Sequence, residues 1–522
     1  MRHLYIAVIA ALLLSCAAPE AENKTVVPTP TPTPAPVNEP DDPEEPDDPD
    51  DPDGPDDPVV EPEGTFYVDG TLCYEFATAP VLGTEGLIRI WKTSDGSLAD
   101  SIDLADVAAC TQLSDGQMVP SEQVTDESLM NTCFDALGPG SVNKRRIVHY
   151  TPIRINGNVL EIKPHSRALD YDAEYSITID EGAVRGFSGV ALGEWTVKTR
   201  KKPSSKTSVS VSPTSESADF RTIQGAVDYS FEAGSSSDFT ISVGPGEYRE
   251  MLYLPGRGNL TIKGEDKEGC ILRCANAEEW MNGTGGSVSK VPATGTGIGK
   301  NGGRAVILME NCGKVRFENL TLVNSYGTKG QAEVIYNNDN AAAGLLVMEN
   351  CDLESLQDTF LTKGYAWLHN CLIAGNCDFI WGYPKHCLFE DCEIRALAKG
   401  YIIQARCQSI DDKGFVFLNC SLTSGEGVAD GAMTLGRSAG SSDLYDNVAY
   451  IDCTMGPVIP AKGWESSKTP NPSAATATAG WREYGSVRPD GTPIDLSGRY
   501  SGARVLTADE ADALRSRPAG AK

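Results

Sequence analysis

The segment LLVMENCDL, Leu345–Leu353, combines alternating apolar residues with an Asn and then a Cys, and this pattern returns along the chain. The later copies are AWLHNCLI, CLFEDCEI, FVFLNCSL and AYIDCTM, so that the repeated cysteines are Cys351, Cys371, Cys392, Cys420 and Cys453. Their spacings of 20, 21, 28 and 33 residues fit a coil whose strands repeat and whose loops vary in length. The pattern predicts an all-β parallel β-helix, to which GNLTI and VRFENLTL add earlier turns around Leu260 and Leu320.

The chain has 15 cysteines, and those of the repeat are expected to form a column inside the coil, one in each turn. Such a column needs small apolar side chains more than it needs covalent bonds. We therefore favour free buried thiols, and disulfides between adjacent turns stay open as the alternative.

The segment SADFRTIQGAVDYSF, Ser217–Phe231, precedes the first turns and has apolar residues at helical spacing, namely Phe220, Ile223, Ala226 and Val227. Ser217 or Asp219 is able to cap its start. The segment predicts a helix that closes the open end of the coil, because end repeats must be covered.

Residues 1–16, MRHLYIAVIAALLLSC, have a basic start and an apolar run too short to span a bilayer and remain there. They are interpreted as an export signal, and Leu13–Cys16 resembles the lipobox of bacterial lipoproteins, in which the Cys is lipidated. This resemblance implies lipidation of Cys16 and an exported lipoprotein of the bacterial cell envelope, anchored at the outer membrane on its periplasmic or outer face. A signal cleaved elsewhere, with an incidental Cys, is the alternative.

Residues 17–64 are rich in Pro, Asp and Glu and predict an extended, disordered tether. Within it, Glu39–Glu63 has 14 acidic residues and no Lys or Arg. It carries about half of the formal net charge of -29, and the remaining -15 argues against nucleic acid as a partner.

Residues 65–202 contain four alternating runs separated by turn residues: LIRIW (Leu87–Trp91), VLEIK (Val159–Lys163), YSITID (Tyr175–Asp180) and WTVKT (Trp195–Thr199). Period-two alternation with frequent turns predicts an antiparallel β-sandwich. The pattern resembles bacterial immunoglobulin-like modules, for which a spacer role and a glycan-binding role are both open. The basic segment Lys198–Lys206 is interpreted as the boundary between the domains.

Two aspartates occupy the same phase of consecutive turns, because Asp358 follows Cys351 by seven residues and Asp378 follows Cys371 by seven. Adjacent strands lie about 4.8 Å apart, so the two carboxyl groups are expected to couple, one as an acid and the other as a base. The segment GNCDFIWG, Gly375–Gly382, surrounds Asp378 with apolar side chains, where an idle charge is costly. A surface pair of aspartates at a turn is the alternative.

The segments LQDTF, Leu356–Phe360, and DFIWG, Asp378–Gly382, resemble two signature segments of the pectin methylesterase family. Further matches follow the family's order: GEYRE (Gly246–Glu250), QAEVIY (Gln331–Tyr336), YIIQARC (Tyr401–Cys407), LGR (Leu435–Arg437), KGWE (Lys462–Glu465) and REYGS (Arg482–Ser486). The resemblance covers about residues 205–518. It implies a catalytic domain with a right-handed parallel β-helix that hydrolyses methyl esters of pectin without a metal or cofactor, and we expect a monomer.

The resemblance also implies catalytic roles. Asp378 is the nucleophile, and Asp358 protonates the departing methanol and then activates water. Gln331 and Gln357 stabilise the oxyanion. Arg437 orients Asp378, and an arginine beside one aspartate and not the other would separate the two pKa values.

Substrate contacts are expected from Trp381, Phe379 and Thr359, with stacking on a sugar ring and plain packing both open for Trp381. The chain departs from the family at LGRSAG, where Ser438 and Ala439 replace the usual Pro-Trp. An esterified galacturonate in a branched pectin is therefore considered as the substrate beside plain homogalacturonan.

Competing motifs are weaker. GRSAG, Gly436–Gly440, matches the serine-hydrolase elbow, but all five His precede Ser438, whereas the fold that uses this elbow places its His afterwards. GIGKNG, Gly297–Gly302, lacks a following helix for a dinucleotide. A zinc site would draw on His386, Cys387 and Cys392, yet no second pair has ligand spacing.

Two rival functions remain. A pectate lyase or polygalacturonase would share the fold but should carry other catalytic motifs. A non-catalytic surface glycan-binding protein would suit the tether and the sandwich, but it gives no reason for the two Asp, the two Gln and the Arg to occur together.

Overall fold

The computed structural model describes residues 66–124, 130–139, 145–185, 195–234, 237–281, 283, 303–327, 330–341 and 344–521, all within one compact unit. The predicted signal, Cys16, the tether and the GIGKNG segment lie outside these residues.

The N-terminal region consists mostly of antiparallel strands around a core of its own. Its elements are β1 (Leu72–Glu75), β2 (Val81–Leu82), β3 (Leu87–Lys92), β4 (Leu98–Asp103), α1 (Leu104–Ala109), β5 (Thr111–Gln112), β6 (Met118–Val119), β7 (Phe134–Leu137), β8 (Arg146–His149), β9 (Ile153–Asn156), β10 (Val159–Ile162), β11 (Glu174–Ile179), β12 (Val184–Arg185) and β13 (Trp195–Lys198). The main sheets have the orders β1-β10-β9 and β13-β11-β3-β4. All four strands predicted here are confirmed.

The remaining strands form one sheet that coils upon itself. They are β14 (Ser208–Val211), β15 (Phe239–Val243), β16 (Gly246–Tyr248), β17 (Leu252–Pro255), β18 (Leu260–Gly264), β19 (Cys270–Cys274), β20 (Ile307–Glu310), β21 (Lys314–Glu318), β22 (Thr321–Asn324), β23 (Ile335–Asn338), β24 (Leu345–Glu349), β25 (Asp352–Glu354), β26 (Phe360–His369), β27 (Leu372–Glu390), β28 (Glu393–Ala405), β29 (Gly414–Leu418), β30 (Ser421–Ser424), β31 (Met433–Arg437), β32 (Val448–Ile451), β33 (Thr454–Met455), β34 (Trp464–Glu465), β35 (Trp481–Tyr484) and β36 (Arg504–Val505).

Strands in successive turns pair in parallel, as the repeat predicts. One line runs Ile307, Ile335, Phe360, Ile380, Ile403 and Gly436, each paired with the next. Three strands per turn create three such lines, which makes the sheet a parallel β-helix. This line carries the candidate site.

The Asn or Asp of each repeat forms the corner between two strands. Asn319, Asn350, Asn370, Asp391, Asn419 and Asp452 all have φ between 52° and 55°. Asn and Asp tolerate this left-handed conformation better than other non-glycine residues. Their side chains also connect the turns, since Asn350 donates to Asn319 Oδ1 at 2.8 Å.

The interior of the coil is apolar, with stacked side chains. Phe389, Phe417 and Tyr450 stack nearly parallel, with ring centroids 4.7 and 4.5 Å apart. The five repeat cysteines are buried and free, as are the other cysteines in the described part of the chain, except that Cys73 is exposed and Cys110 half-buried. The preference for free thiols over disulfides is confirmed.

Helix α2 (Ile223–Glu232) lies before the second strand of the coil and contacts β14, β15 and β17. Its N-cap is Thr222, whose side chain accepts from Gly225 N at 3.0 Å, so the predicted caps Ser217 and Asp219 are wrong. Phe220 lies outside the helix because it forms a parallel bridge with Val211, which keeps the chain extended until the cap.

Helix α3 (Ala508–Asp512) covers an outer face of the coil near the C-terminus. Ala511 of this helix, together with Leu506 before it and Leu514 after it, packs on apolar side chains on the outside of the coil, such as Val347 and Val416. Within the described residues, no helix combines the length and apolar character needed to cross a bilayer.

Candidate active site

Asp358 and Asp378 are neighbours in consecutive turns, which confirms the spacing argument. Gln357 pairs with Cys377 just before them, and Phe360 pairs with Ile380 just after. The amide of Asp358 donates to the carbonyl of Cys377 at 3.2 Å. Both aspartates have positive φ, 66° and 45°, a conformation that is uncommon for non-glycine residues. Backbone strain of this kind is typical of functional sites.

Asp378 is held by an arginine. Arg437 Nε lies 2.9 and 3.0 Å from its two carboxylate oxygens, and Arg437 Nη2 also donates to Oδ2. Gln404 adds a donor, with Nε2 3.1 Å from Oδ2. In turn Arg406 donates to Gln404 Oε1, with its Nε at 2.8 Å, which fixes the orientation of the Gln404 amide.

Asp358 has different partners. Gln331 Nε2 and Arg304 Nη2 both donate to its Oδ2, at 3.0 and 3.2 Å. The expected arrangement, with an arginine beside Asp378 alone, is therefore wrong. Arg304 is not dedicated to Asp358, however, because it also contacts Glu333 and Glu278.

The two environments act differently on the aspartates. Burial raises the pKa of Asp358 well above its ordinary value, and the charges of Glu333 and Asp378 add to the rise while Arg304 and the Gln331 amide oppose it. Burial also raises the pKa of Asp378, but there the hydrogen bonds and charge of Arg437 oppose the rise. Of the two aspartates, Asp358 is therefore the one that holds a proton more readily.

Of the other expected site residues, Gln331 and Gln357 lie next to the aspartates, whereas Trp381 is mostly covered by protein. Gln331 pairs with Gln357 in the parallel ladder, so Gln331 lies on the turn before Asp358, and Gln357 directly precedes Asp358 on the same turn. Both residues are half-buried. Trp381 is 6% exposed, and the Arg406 guanidinium lies 4.7 Å from its ring centroid. A ring covered in this way has little face left for a sugar, which favours packing.

Thr359 and Phe379 do not face the surface. Both are fully buried, and the Thr359 hydroxyl donates to the carbonyl of Ala374 at 2.9 Å. Alternation along a strand sends the side chain after each aspartate into the coil. We therefore correct the expected substrate contacts at these two positions to packing roles.

The competing motifs are engaged elsewhere. Ser438 Oγ donates to Asp446 Oδ2 at 2.8 Å and is buried. Cys387 and Cys392 belong to the interior, and no group of three or more potential ligands among the described residues is placed to hold a metal ion.

Sequence reasoning missed three residues of the site: Arg304, Glu333 and Gln404. Glu333 carried a usable signal, because it places a carboxylate inside the apolar run QAEVIY just as Asp378 does inside GNCDFIWG. Gln404 is found by extending the ladder, since it pairs with Trp381. Arg304 comes before the regular repeat and had no comparable signal.

Comparison with known proteins agrees with the motifs. The family model described as Pectinesterase matches residues 208–515. Pectinesterase 31 of Arabidopsis thaliana is 32% identical over 255 residues, which cover 48% of this chain and 74% of that protein. Pectinesterase QRT1 of the same plant is 27% identical over 297 residues, covering 55% and 71%. Among solved structures, pectin methylesterase PemA from Erwinia chrysanthemi is 22% identical with a TM-score of 0.44, covering 58% of this chain and 94% of that one.

Proposed function

The chain belongs to the pectinesterase family and hydrolyses methyl esters of pectin, and on that premise we propose that Asp378 and Asp358 divide the reaction between nucleophile and general acid/base. The observation that carries this proposal is their stacking in consecutive turns with unequal partners. A carboxylate held by its own arginine is suited to attack, and a neighbour with a raised pKa is suited to donate a proton.

In the first step, an Asp378 oxygen attacks the ester carbonyl carbon of a methyl galacturonate. The bond from that carbon to the methoxy oxygen breaks, and Asp358 gives its proton to the departing oxygen, which releases methanol. The product on the protein is an anhydride between Asp378 and the sugar carboxyl. Asp358 is then a carboxylate and is ready to act as a base.

In the second step, Asp358 takes a proton from water, and the hydroxide formed attacks the sugar carbonyl of the anhydride. The bond to Asp378 breaks, so Asp378 leaves as a carboxylate and Asp358 is protonated again. The net change is ester plus water to acid plus methanol. Negative charge on the carbonyl oxygen in both steps is stabilised by the amides of Gln331 and Gln357, which lie on adjacent turns.

The test is methanol release from methyl-esterified homogalacturonan and from a branched pectin. Asp378→Ala is expected to abolish release, and Asp358→Asn to reduce it by at least about 100-fold, the range of general acid catalysis. Unsaturated products and new reducing ends are measured in parallel, because they would indicate a lyase or a polygalacturonase. Full activity in Asp378→Ala would refute the assignment.

Asp391→Asn provides the matched control. Asp391 occupies a corner of the coil where other turns have Asn350, Asn370 and Asn419 with nearly the same φ. The same chemical change, placed away from the pair, should leave both the fold and the rate of methanol release unchanged.

The branched-pectin substrate is proposed from the sequence departure at Ser438 and Ala439. Ser438 is buried and bonded to Asp446, so it offers no aromatic surface to a linear chain. A higher kcat/KM on branched than on linear methyl-esterified pectin would support this proposal, and equal values would remove its basis.

We also propose the finer assignments of the remaining chain. Residues 65–202 form an immunoglobulin-like module, helix α2 caps a right-handed coil spanning 205–518, and the protein is a monomer. Residues 1–16 direct export, residues 17–64 form the tether, and lipid on Cys16 anchors the protein at the outer membrane of the cell envelope, which the signal's sequence supports. Incorporation of labelled fatty acid into the wild-type protein but not into Cys16→Ala tests the anchor.

A further inference from the structure

Arg304 contacts a cluster of three carboxyl groups, of which those of Glu333 and Asp358 are buried and that of Glu278 is 32% exposed. Its Nε contacts the two oxygens of Glu333 at 2.9 and 3.1 Å, Nη1 contacts Glu278 Oε2 at 2.6 Å, and Nη2 contacts Asp358 Oδ2 at 3.2 Å. The Arg304 side chain is 6% exposed and that of Glu333 is fully buried. Each nitrogen of the planar guanidinium thus has its own acceptor, so the group has one orientation.

Charge in this cluster does not balance if all the acids ionise. One guanidinium faces the buried carboxyl groups of Glu333 and Asp358 and the partly exposed one of Glu278, and the buried surroundings of the first two disfavour unpaired charge. Glu333 has the shorter, two-oxygen contact with Arg304, whereas Asp358 has one longer contact. The positive charge of Arg304 therefore stabilises mainly the carboxylate of Glu333. Its hydrogen bond still orients the carboxyl group of Asp358, but its charge is not available to balance a negative charge there in full.

We propose, on the basis of the proposed function of Asp358 as general acid/base, that Arg304 is its positioning residue and that Glu333 sets how strongly Arg304 acts on it. Arg304 and Gln331 both donate to Oδ2 of Asp358. An oxygen that accepts two hydrogen bonds is a poor place for the acidic proton, so the proton lies on Oδ1. Arg304 thereby selects the oxygen that exchanges the proton with methanol and water.

The backbone around Arg304 is held by the N-terminal region. Arg146 of strand β8 is 2% exposed and donates to the carbonyls on both sides of Arg304, those of Gly303 at 3.3 Å and of Ala305. It also donates to the carbonyls of Leu252 at 2.8 Å and Val306 at 3.1 Å. A guanidinium that joins four carbonyls fixes this segment, so the N-terminal region supports the site.

A second contact from the N-terminal region supports another member of the cluster. Gln123 Nε2 donates to the backbone carbonyl of Glu278 at 2.7 Å, and Val124 forms a parallel bridge with Met281. The carboxylate of Glu278 in turn contacts Arg304. The N-terminal region thus holds both the backbone segment that carries Arg304 and the backbone of Glu278, whose carboxylate contacts Arg304.

The test is the pH profile of kcat/KM for methanol release in Arg304→Gln and Glu333→Gln. The charged groups facing Asp358 are Arg304, Glu333 and Asp378, and the last is paired with Arg437. Asp358 must be protonated in the first step, so activity falls as pH rises through its pKa. Loss of the Glu333 charge lowers this pKa and should move the alkaline limb to lower pH, whereas loss of the Arg304 charge should move it to higher pH.

Arg304→Gln should also lower kcat by about 10-fold to 100-fold with KM within about 3-fold, because the lost contact orients a reacting group and not the substrate. Arg304→Lys keeps the charge without the planar fork, and its alkaline limb should stay near that of the wild type while kcat falls. If Arg304→Gln does not fold, the limb in Glu333→Gln decides the question alone.

Glu483→Gln is the matched control, because Glu483 and Arg499 form another buried pair, 3% and 5% exposed, and Glu483 lies on the strand line of Phe417 and Tyr450 instead of the line that carries Asp358. It should leave the profile unchanged. Unshifted limbs in both cluster variants, with Asp358→Asn inactive, would overturn this inference alone. Activity in Asp358→Asn would overturn the proposed function as well.

Discussion

Replacement of Arg437 by Gln removes the arginine that donates to both oxygens of Asp378 and keeps the hydrogen bond from the Gln404 amide. Each hydrogen bond to a charged group contributes about 1.5–3 kcal/mol, and breaking a buried ion pair costs about 3–5 kcal/mol. The Arg437 side chain is 29% exposed, so water replaces part of the loss and the lower value, about 3 kcal/mol, applies. If a loss of this size acts in the transition state, in which Arg437 holds Asp378 in position for attack, it corresponds at 1.36 kcal/mol per tenfold to a fall of about 100-fold in kcat/KM.

The pH profile gives the decisive readout for this variant. Asp378 must be ionised to attack, so activity falls as pH decreases through its pKa. Burial already raises the pKa of Asp378 and Arg437 opposes the rise, so Arg437→Gln should move the acid limb to higher pH. Arg437→Lys keeps the charge but loses the two-nitrogen contact, and we expect a loss of about 10-fold.

Arg395→Gln is the control for Arg437→Gln, because Arg395 pairs with Glu393 at the surface of a neighbouring strand and is 37% exposed. It should behave as the wild type. Methanol release is measured across the pH range on one pectin preparation. An Arg437→Gln enzyme with an unmoved acid limb and kcat/KM within about 3-fold of the wild type would refute the role given to this ion pair.

Two further predictions concern stability and the interior. Burial raises the pKa of Asp228, in helix α2, to about 7, so between about pH 4 and 7 the folded state keeps a proton that the unfolded state has lost, and this group lowers stability as pH rises over that range. Other buried carboxyl groups with raised pKa values, such as Asp446, contribute to the same fall, so Asp228→Asn should make it shallower without abolishing it. Urea unfolding at several pH values would reveal the difference, and an unchanged slope would contradict it. In the native protein a thiol reagent should label Cys73 first and Cys110 more slowly. The five buried cysteines of the repeat should react only after unfolding: Cys351, Cys371, Cys392, Cys420 and Cys453. Rapid labelling of these five in the native protein would contradict their place in the interior column.

The sequence was informative wherever the coil is regular. A fixed phase after each repeated Cys predicted that Asp358 and Asp378 stack, and the ladder between Phe360 and Ile380 confirms it. The prediction works because the chain returns to the same line of strands once per turn. The number of residues that separates a side chain from the repeated Cys therefore gives its place on that line. The same count assigns Gln404 to the next turn, through its pairing with Trp381.

The sequence was uninformative where position depends on contacts outside the repeat. Arg304 lies on the same line of strands, but no repeated Cys precedes it at the fixed spacing, so its position could not be counted from the sequence. Its segment is held by Arg146, which is 158 residues earlier and belongs to a different sheet. The helix cap was also set by a distant contact. Asp69 accepts hydrogen bonds from the amides of Arg221 and Thr222 at 2.9 and 2.7 Å, and this helps to start α2 at Ile223 instead of earlier.

The order of the turns explains why two identical side chains acquire different properties. Arg304, Glu333, Asp358, Asp378, Gln404 and Arg437 come from six consecutive turns of one line, as the pairings of Ile307, Ile335, Phe360, Ile380, Ile403 and Gly436 require. Asp358 therefore faces the acid-rich cluster on its N-terminal side, and Asp378 faces the amide and arginine on its C-terminal side. In a stack of this kind each aspartate is acted on most strongly by the charges of its nearer neighbours. The roles of acid and nucleophile are therefore set by the residues on the flanking turns and not by the aspartates themselves. Swapping those flanking residues between the two sides would swap the two roles.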